Sequence, residues 1–108
     1  EVYQLSLEQT SYVKKAEIKV ENINGPILLL AGKADSMWVS HQMSEMIIKR
    51  LDSCHFAHWH KLFSYDNAGH TLNEGYKIGG TNEGNKNARV DSEKRILDFL
   101  RRLGAENP

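Results

Sequence analysis

Cysteine is almost missing from this chain: Cys54 is the only one among 108 residues. An internal disulfide is therefore excluded, and the usage fits a reducing compartment, with a cytoplasmic location as the expectation. No apolar run approaches the ~20 residues that a membrane span needs, and no secretory-signal pattern opens the chain. Net charge is missing as well, because 14 Lys and Arg balance 14 Asp and Glu. Without a field of one sign, neither nucleic acid nor a membrane surface is expected as a partner. The first residue is Glu1 rather than Met, so the amino end is expected to be an artificial or processing boundary. Hydrophobic residues make up 40% and charged residues 26%. That balance is soluble and globular, yet slightly poor in core formers for a self-sufficient domain. No more than one core fits in this length.

No internal repeat and no low-complexity segment is present. Residues 1–24 form a polar lead-in of ambiguous pattern, in which Tyr3, Leu5 and Leu7 alternate and Val13, Ala16 and Val20 follow roughly helical spacing. Asn24-Gly25-Pro26 is a strong turn signal. It leads into Ile27-Leu28-Leu29-Leu30, a short apolar run that suits a strand buried on both faces of a parallel sheet. Met43, Met46, Ile47 and Leu51 then recur on one face of a helix, and Met43, Met46 and Ile47 are assigned to the core. Ser40 is the expected N-cap, with Ser36 competing. Leu62-Phe63-Ser64-Tyr65 reads as a second strand ending at Asp66-Asn67-Ala68-Gly69. A glycine-rich loop follows, through Gly75, Gly79, Gly80 and Gly84. The last helix carries Ile96, Leu97, Leu100 and Leu103 on one face, and Gly104 is its stop signal. The expected organisation is the lead-in 1–24, a portion of a larger α/β domain over 25–104, and a tail over 105–108.

Alternating strands and helices imply parallel strands joined by crossovers. Two strands do not make a stable α/β sheet alone, so the chain reads as a piece of something larger. In open α/β sheets, functional groups collect at the carboxyl ends of strands. Here one strand leads to Asp35 and the next to His70, 35 residues apart. A carboxylate placed there can hold one imidazole nitrogen and fix its tautomer, leaving the other free to deprotonate a nucleophile. Acid before base is also the chain order of α/β hydrolases.

These residues carry a family resemblance. Ile18-Lys19-Val20-Glu21-Asn22-Ile23-Asn24-Gly25-Pro26-Ile27-Leu28-Leu29-Leu30 resembles the approach to the acid-bearing strand of acyl-CoA thioesterases and bile acid-CoA:amino acid N-acyltransferases. Gly32-Lys33-Ala34-Asp35-Ser36-Met37-Trp38-Val39-Ser40 is similar to their G-x-[DE]-D-x-x-W-x-S loop, and Tyr65-Asp66-Asn67-Ala68-Gly69-His70 to the loop of the triad histidine. Gly79-Gly80-Thr81 and Asn87-Ala88-Arg89-Val90-Asp91-Ser92 resemble the final segment of bacterial members. The resemblance spans about residues 18–103 and implies the carboxyl-terminal part of an α/β-hydrolase fold. It makes Asp35 the triad acid and His70 the base, with an acyl-CoA or ester as substrate and no metal or redox cofactor. Ala34 stands where the family often has a second acid. The family's nucleophile, Ser or Cys, sits in a G-x-[SC]-x-G elbow, and this sequence holds none. Dienelactone-hydrolase-like esterases use the same acid and base, and a binding module without a working triad is the reading from another class.

Cys54, His55, His58 and His60 form a C-H-x-x-H-x-H cluster that invites zinc. It falls between helix and strand at the sheet edge opposite Asp35 and His70, and is read as a loop rather than a metal site. The Gly75 to Gly84 loop lacks phosphate-binding spacing and is read as a connection. Trp38 is read as packing beneath the acid loop. Asp91-Ser92-Glu93-Lys94-Arg95 is read as a solvated helix face, with Asp91 and Arg95 paired. A folded chain of this size exposes a sheet edge and uncovered faces, so it is expected to self-associate or to join the missing part of the fold. Light scattering on the purified chain checks this: a dimer or larger species is expected, and a strictly monomeric, well-folded one would argue for a self-sufficient domain.

Overall fold

The computed structural model describes residues 18–106. The patterns noted at Tyr3, Leu5, Leu7, Val13 and Ala16, and the end of the tail at Asn107 and Pro108, lie outside the described residues. A single 3-10 turn, Val20–Asn22, precedes β1 (Ile27–Gly32), α1 (Ser40–Ser53), β2 (His60–Tyr65) and α2 (Asn82–Glu106). The architecture is a small α/β unit, as expected. β1 and β2 pair in parallel, from Ile27 opposite His60 to Gly32 opposite Tyr65.

Side-chain alternation along β2 separates the two helices. Even positions meet α1: His60 bonds Asp52 and Ser64 bonds His41. Odd positions meet α2: the Arg95 guanidinium lies 4.2 Å from the Phe63 ring, and the Tyr65 hydroxyl donates to Asp91. Each helix therefore covers its own face of the sheet.

Helix α1 departs from expectation at its start. Ser40 is its first residue, not its cap; Val39 occupies the cap position without a side-chain hydrogen bond, and the Ser40 hydroxyl reaches back to the Gly32 carbonyl at 3.5 Å. The helix stops in a Schellman arrangement, Phe56 N–H to Leu51 O and His55 N–H to Asp52 O. His55 takes the left-handed position (φ 52°) usually given to glycine. Residues 54–58 are thus the exit of a helix, which accounts for the position of most of the Cys/His cluster.

Helix α2 is longer than its apolar pattern. Thr81 caps it, its hydroxyl accepting the Gly84 N–H at 3.0 Å. Asn82 to Gly84, expected as the end of the loop, already belong to the helix, whose first turns continue to Ser92. Small or polar residues (Gly84, Asn85, Ala88, Ser92) are buried there, and a pattern built on large apolar residues misses such a face. Gly104 does not end the helix, which runs to Glu106. One interior glycine costs about 1 kcal/mol and does not force a stop.

The run from Asp91 to Arg95 is a solvated face only in part, through the exposed Glu93 and Lys94. Asp91 and Arg95 do pair, at 3.3 Å, but both point at the sheet. Apolar residues also face outward: Ile96, Leu97 and Leu100 are 41%, 54% and 55% exposed. Met46 is likewise 46% exposed rather than core, and Met43 and Ile47 are only half-buried. The run Ile27-Leu28-Leu29-Leu30 is half-buried too, because β1 has a strand neighbour on one side alone among the described residues. No helix among the described residues is long and apolar enough to cross a membrane.

Leu51 is the one large apolar side chain fully buried among the described residues. Leu51→Ala is expected to lower the unfolding free energy by roughly 2–5 kcal/mol. A urea denaturation series checks it, and a loss well below 1 kcal/mol would place the folding core elsewhere.

Candidate active site

Both strands run out at the same end of the sheet, and the ladder continues past them. Lys33 N–H donates to Tyr65 O at 3.0 Å, and Ala34 N–H to Ala68 O at 2.9 Å. These bonds carry Asp35 and His70 forward side by side. His70 Nδ1 lies 3.0 Å from Asp35 Oδ2, with the Asp35 side chain 2% exposed and that of His70 28% exposed. The structure thus brings together the two residues singled out in the sequence.

Burying a carboxylate is costly unless it is hydrogen-bonded. Asp35 meets this requirement locally. Its Oδ1 accepts the Met37 N–H at 2.8 Å and the Trp38 N–H at 3.0 Å, the side chain folding over its own following turn. Burial pushes the Asp35 carboxyl up, but bonds from Trp38 N–H, His70, Met37 N–H and Ser40 outweigh it and hold the group below its ordinary value. It is therefore ionised near neutrality and can only accept hydrogen bonds. His70 Nδ1 must then be the donor, and in the neutral imidazole Nε2 is the acceptor. No other group among the described residues pairs with Nε2.

Ala34, in place of a second acid, does not leave the site unsupported. The Asp35 carboxylate is held by the backbone N–H groups of Met37 and Trp38, which need no side chain at position 34. Trp38 is not beneath the loop: it is 50% exposed, with its ring edge-on to His70 at 5.1 Å between centroids. It borders the open side of the imidazole.

The glycine-rich loop is more than a connection. His70 N–H donates to Ile78 O at 2.8 Å, and Thr81 N–H to Asn67 O at 2.8 Å. Asp35 forms a bridge with Gly79, and Ala68 with Gly80. Gly79 has φ +88° and lies so close to the Ala34 carbonyl that a Cβ would collide with it. Behind the loop, Asn85 is fully buried: its Oδ1 accepts the Gly69 N–H at 2.9 Å, and its Nδ2 donates to Gly79 O and Thr81 O at 3.1 and 2.9 Å. Sequence reasoning missed Asn85. An asparagine in a polar stretch gives no signal until the helix around it is known.

The Cys/His cluster is not gathered. His60 bonds Asp52 at 2.7 Å and the His58 carbonyl at 2.9 Å, and Asp52 pushes it toward its protonated form. Cys54 is exposed beside Glu21. Among the described residues no three His, Cys, Asp or Glu side chains are placed to hold a metal. A depression of about 360 Å³ lies nearby, lined by residues 21–24 and 54–58. Glu21 on its wall is held by Arg50 through two 2.8 Å bonds, so the hollow offers no free carboxylate.

A family model described as BAAT / Acyl-CoA thioester hydrolase C terminal matches residues 1–103. No curated protein and no solved structure matches the chain.

Because the folded-state value of Asp35 is depressed, its stabilisation is fully present above the ordinary carboxylate value and is lost as pH falls through the depressed one. The stability advantage of the wild type over Asp35→Asn is therefore expected to shrink as pH falls from about 5 to about 2. Urea denaturation across that window measures it, and a pH-independent difference would show that Asp35 is not held as a buried anion.

Proposed function

The chain belongs to the BAAT/acyl-CoA thioester hydrolase C-terminal family, and from that premise we propose that it supplies the acid and base of an acyl-transfer site acting on a thioester. The observation that carries the reading is the contact of His70 Nδ1 with the buried Asp35 carboxylate, with Nε2 left open. Asp35 orients His70 and stabilises the imidazolium. His70 Nε2 takes the proton of a Ser or Cys nucleophile as that atom attacks the thioester carbonyl. The same nitrogen returns the proton to the departing thiol, and a second acceptor, water or an amine, then repeats the exchange on the acyl-enzyme.

The nucleophile belongs to a G-x-[SC]-x-G elbow outside these 108 residues, in the body of an α/β-hydrolase fold of which this is the carboxyl-terminal portion. On this reading the outward Ile96, Leu97 and Leu100, and the unpaired side of β1, are surfaces that the rest of the fold or a second copy covers. The 108-residue chain alone is expected to hydrolyse neither acyl-CoA nor aryl esters. In a longer chain that carries the elbow, Asp35→Asn and His70→Gln are each expected to lower kcat by about 10³–10⁴-fold. Steady-state acyl-CoA hydrolysis checks this, and an unchanged kcat in His70→Gln would remove the base from the mechanism.

A further inference from the structure

His70 follows Gly69, the residue type with the greatest backbone freedom, so the direction of its imidazole depends on how that backbone is held from outside. Two consecutive amides are pinned there. The His70 N–H is bonded to Ile78 O, and the Gly69 N–H to the side chain of Asn85. Asn85 lies in the first turn of α2, is fully buried, and spends both of its donor bonds on carbonyls of the loop that crosses the site, Gly79 O and Thr81 O. Neither end of the amide can turn without orphaning a buried polar group, which costs about 1–3 kcal/mol for each group left unpaired. The same side chain thus grips the peptide before His70 and the loop segment bridged to Asp35.

We infer that Asn85 is a positioning residue for His70: through the Gly69 N–H it fixes the backbone from which the imidazole meets Asp35. The inference rests on the reading of Asp35 and His70 as acid and base. It adds a third residue, 15 positions beyond the histidine on a separate helix, to the set on which that pair depends. Asn85 acts on the site through the backbone alone and has no place in contact with substrate.

Long-range ¹H–¹⁵N spectra of the imidazoles in the 108-residue chain test it without any need for activity. The wild type is expected to show His70 in one tautomer, protonated at Nδ1, with a downfield proton that is lost in Asp35→Ala. Asn85→Ala removes all three bonds. Asn85→Ser can keep a helix-internal bond to Thr81 O but cannot reach Gly69, so it preserves the helix while releasing the histidine. Both are expected to lose the downfield proton and to mix the tautomers. Thr81→Ala, which removes the cap of α2 and lowers the melting temperature, is expected to leave the signal unchanged. Persistence of the signal in folded Asn85→Ser overturns the inference, as does its equal loss in Thr81→Ala. Absence of an Asp35-dependent signal from the wild type overturns the acid–base reading itself, a distinguishable result.

Discussion

Parallel strands leave a sheet at the same end, and in this chain they leave at the same rung, Gly32 opposite Tyr65. From that level Asp35 lies three residues on and His70 five. Asp35 and His70 consequently arrive together without any long arm to position them. The bonds from Lys33 to Tyr65 and from Ala34 to Ala68 extend the ladder almost to the carboxylate. A shift of one residue in this register would turn every strand side chain to the opposite face. Ser64 and His60 would then leave α1, Phe63 and Tyr65 would leave α2, and the acid would meet the wrong neighbour. Register, helix placement and the contact of acid with base are therefore one constraint.

The parts legible in the sequence were those with a period or a punctuation mark. The run beginning at Ile27, the helix through Leu51, and the exits at Gly32 and Asn67 all carry such signals. The order of acid and base followed from them. What stayed hidden was held by small or polar residues. The first turns of α2 bury Asn85, Ala88 and Ser92, and no hydrophobic periodicity marks such a surface. The cap at Thr81 was masked by neighbouring polar residues, while Ser40 had the chemistry of a cap but spent its hydroxyl on the Gly32 carbonyl. His55 was read as a loop residue, and nothing in its side chain announced the left-handed backbone angle that the helix exit uses.

Helix α2 meets the sheet through more polar contacts than a helix packed on a self-sufficient core. Its inner side meets the sheet through a phenol bonded to a carboxylate, a guanidinium over an aromatic ring, and buried small residues. Its outer side carries Ile96, Leu97 and Leu100 among exposed charged residues such as Glu93 and Lys94. Burial and the bond to Asp91 push the Tyr65 phenol well above its ordinary value, so this contact stays neutral on the tyrosine side throughout the physiological range. Polar contacts fix orientation more than they add stability. The chain therefore has a well-specified edge around Asp35 and His70 and little apolar mass behind it.

Four separate stretches meet at the site: residues 32–35, 67–70 and 78–81, and Asn85. None touches the other three through local sequence alone, so closing the assembly costs loop entropy that no single contact recovers. Such an arrangement opens as a block rather than fraying residue by residue. Detaching the first turn of α2 would release the amide before the histidine, the loop over the acid, and the contact of acid with base in one sub-global event. The amides of Gly69, His70 and Thr81 would then share a single protection against solvent exchange, and the reactive geometry would be either whole or gone.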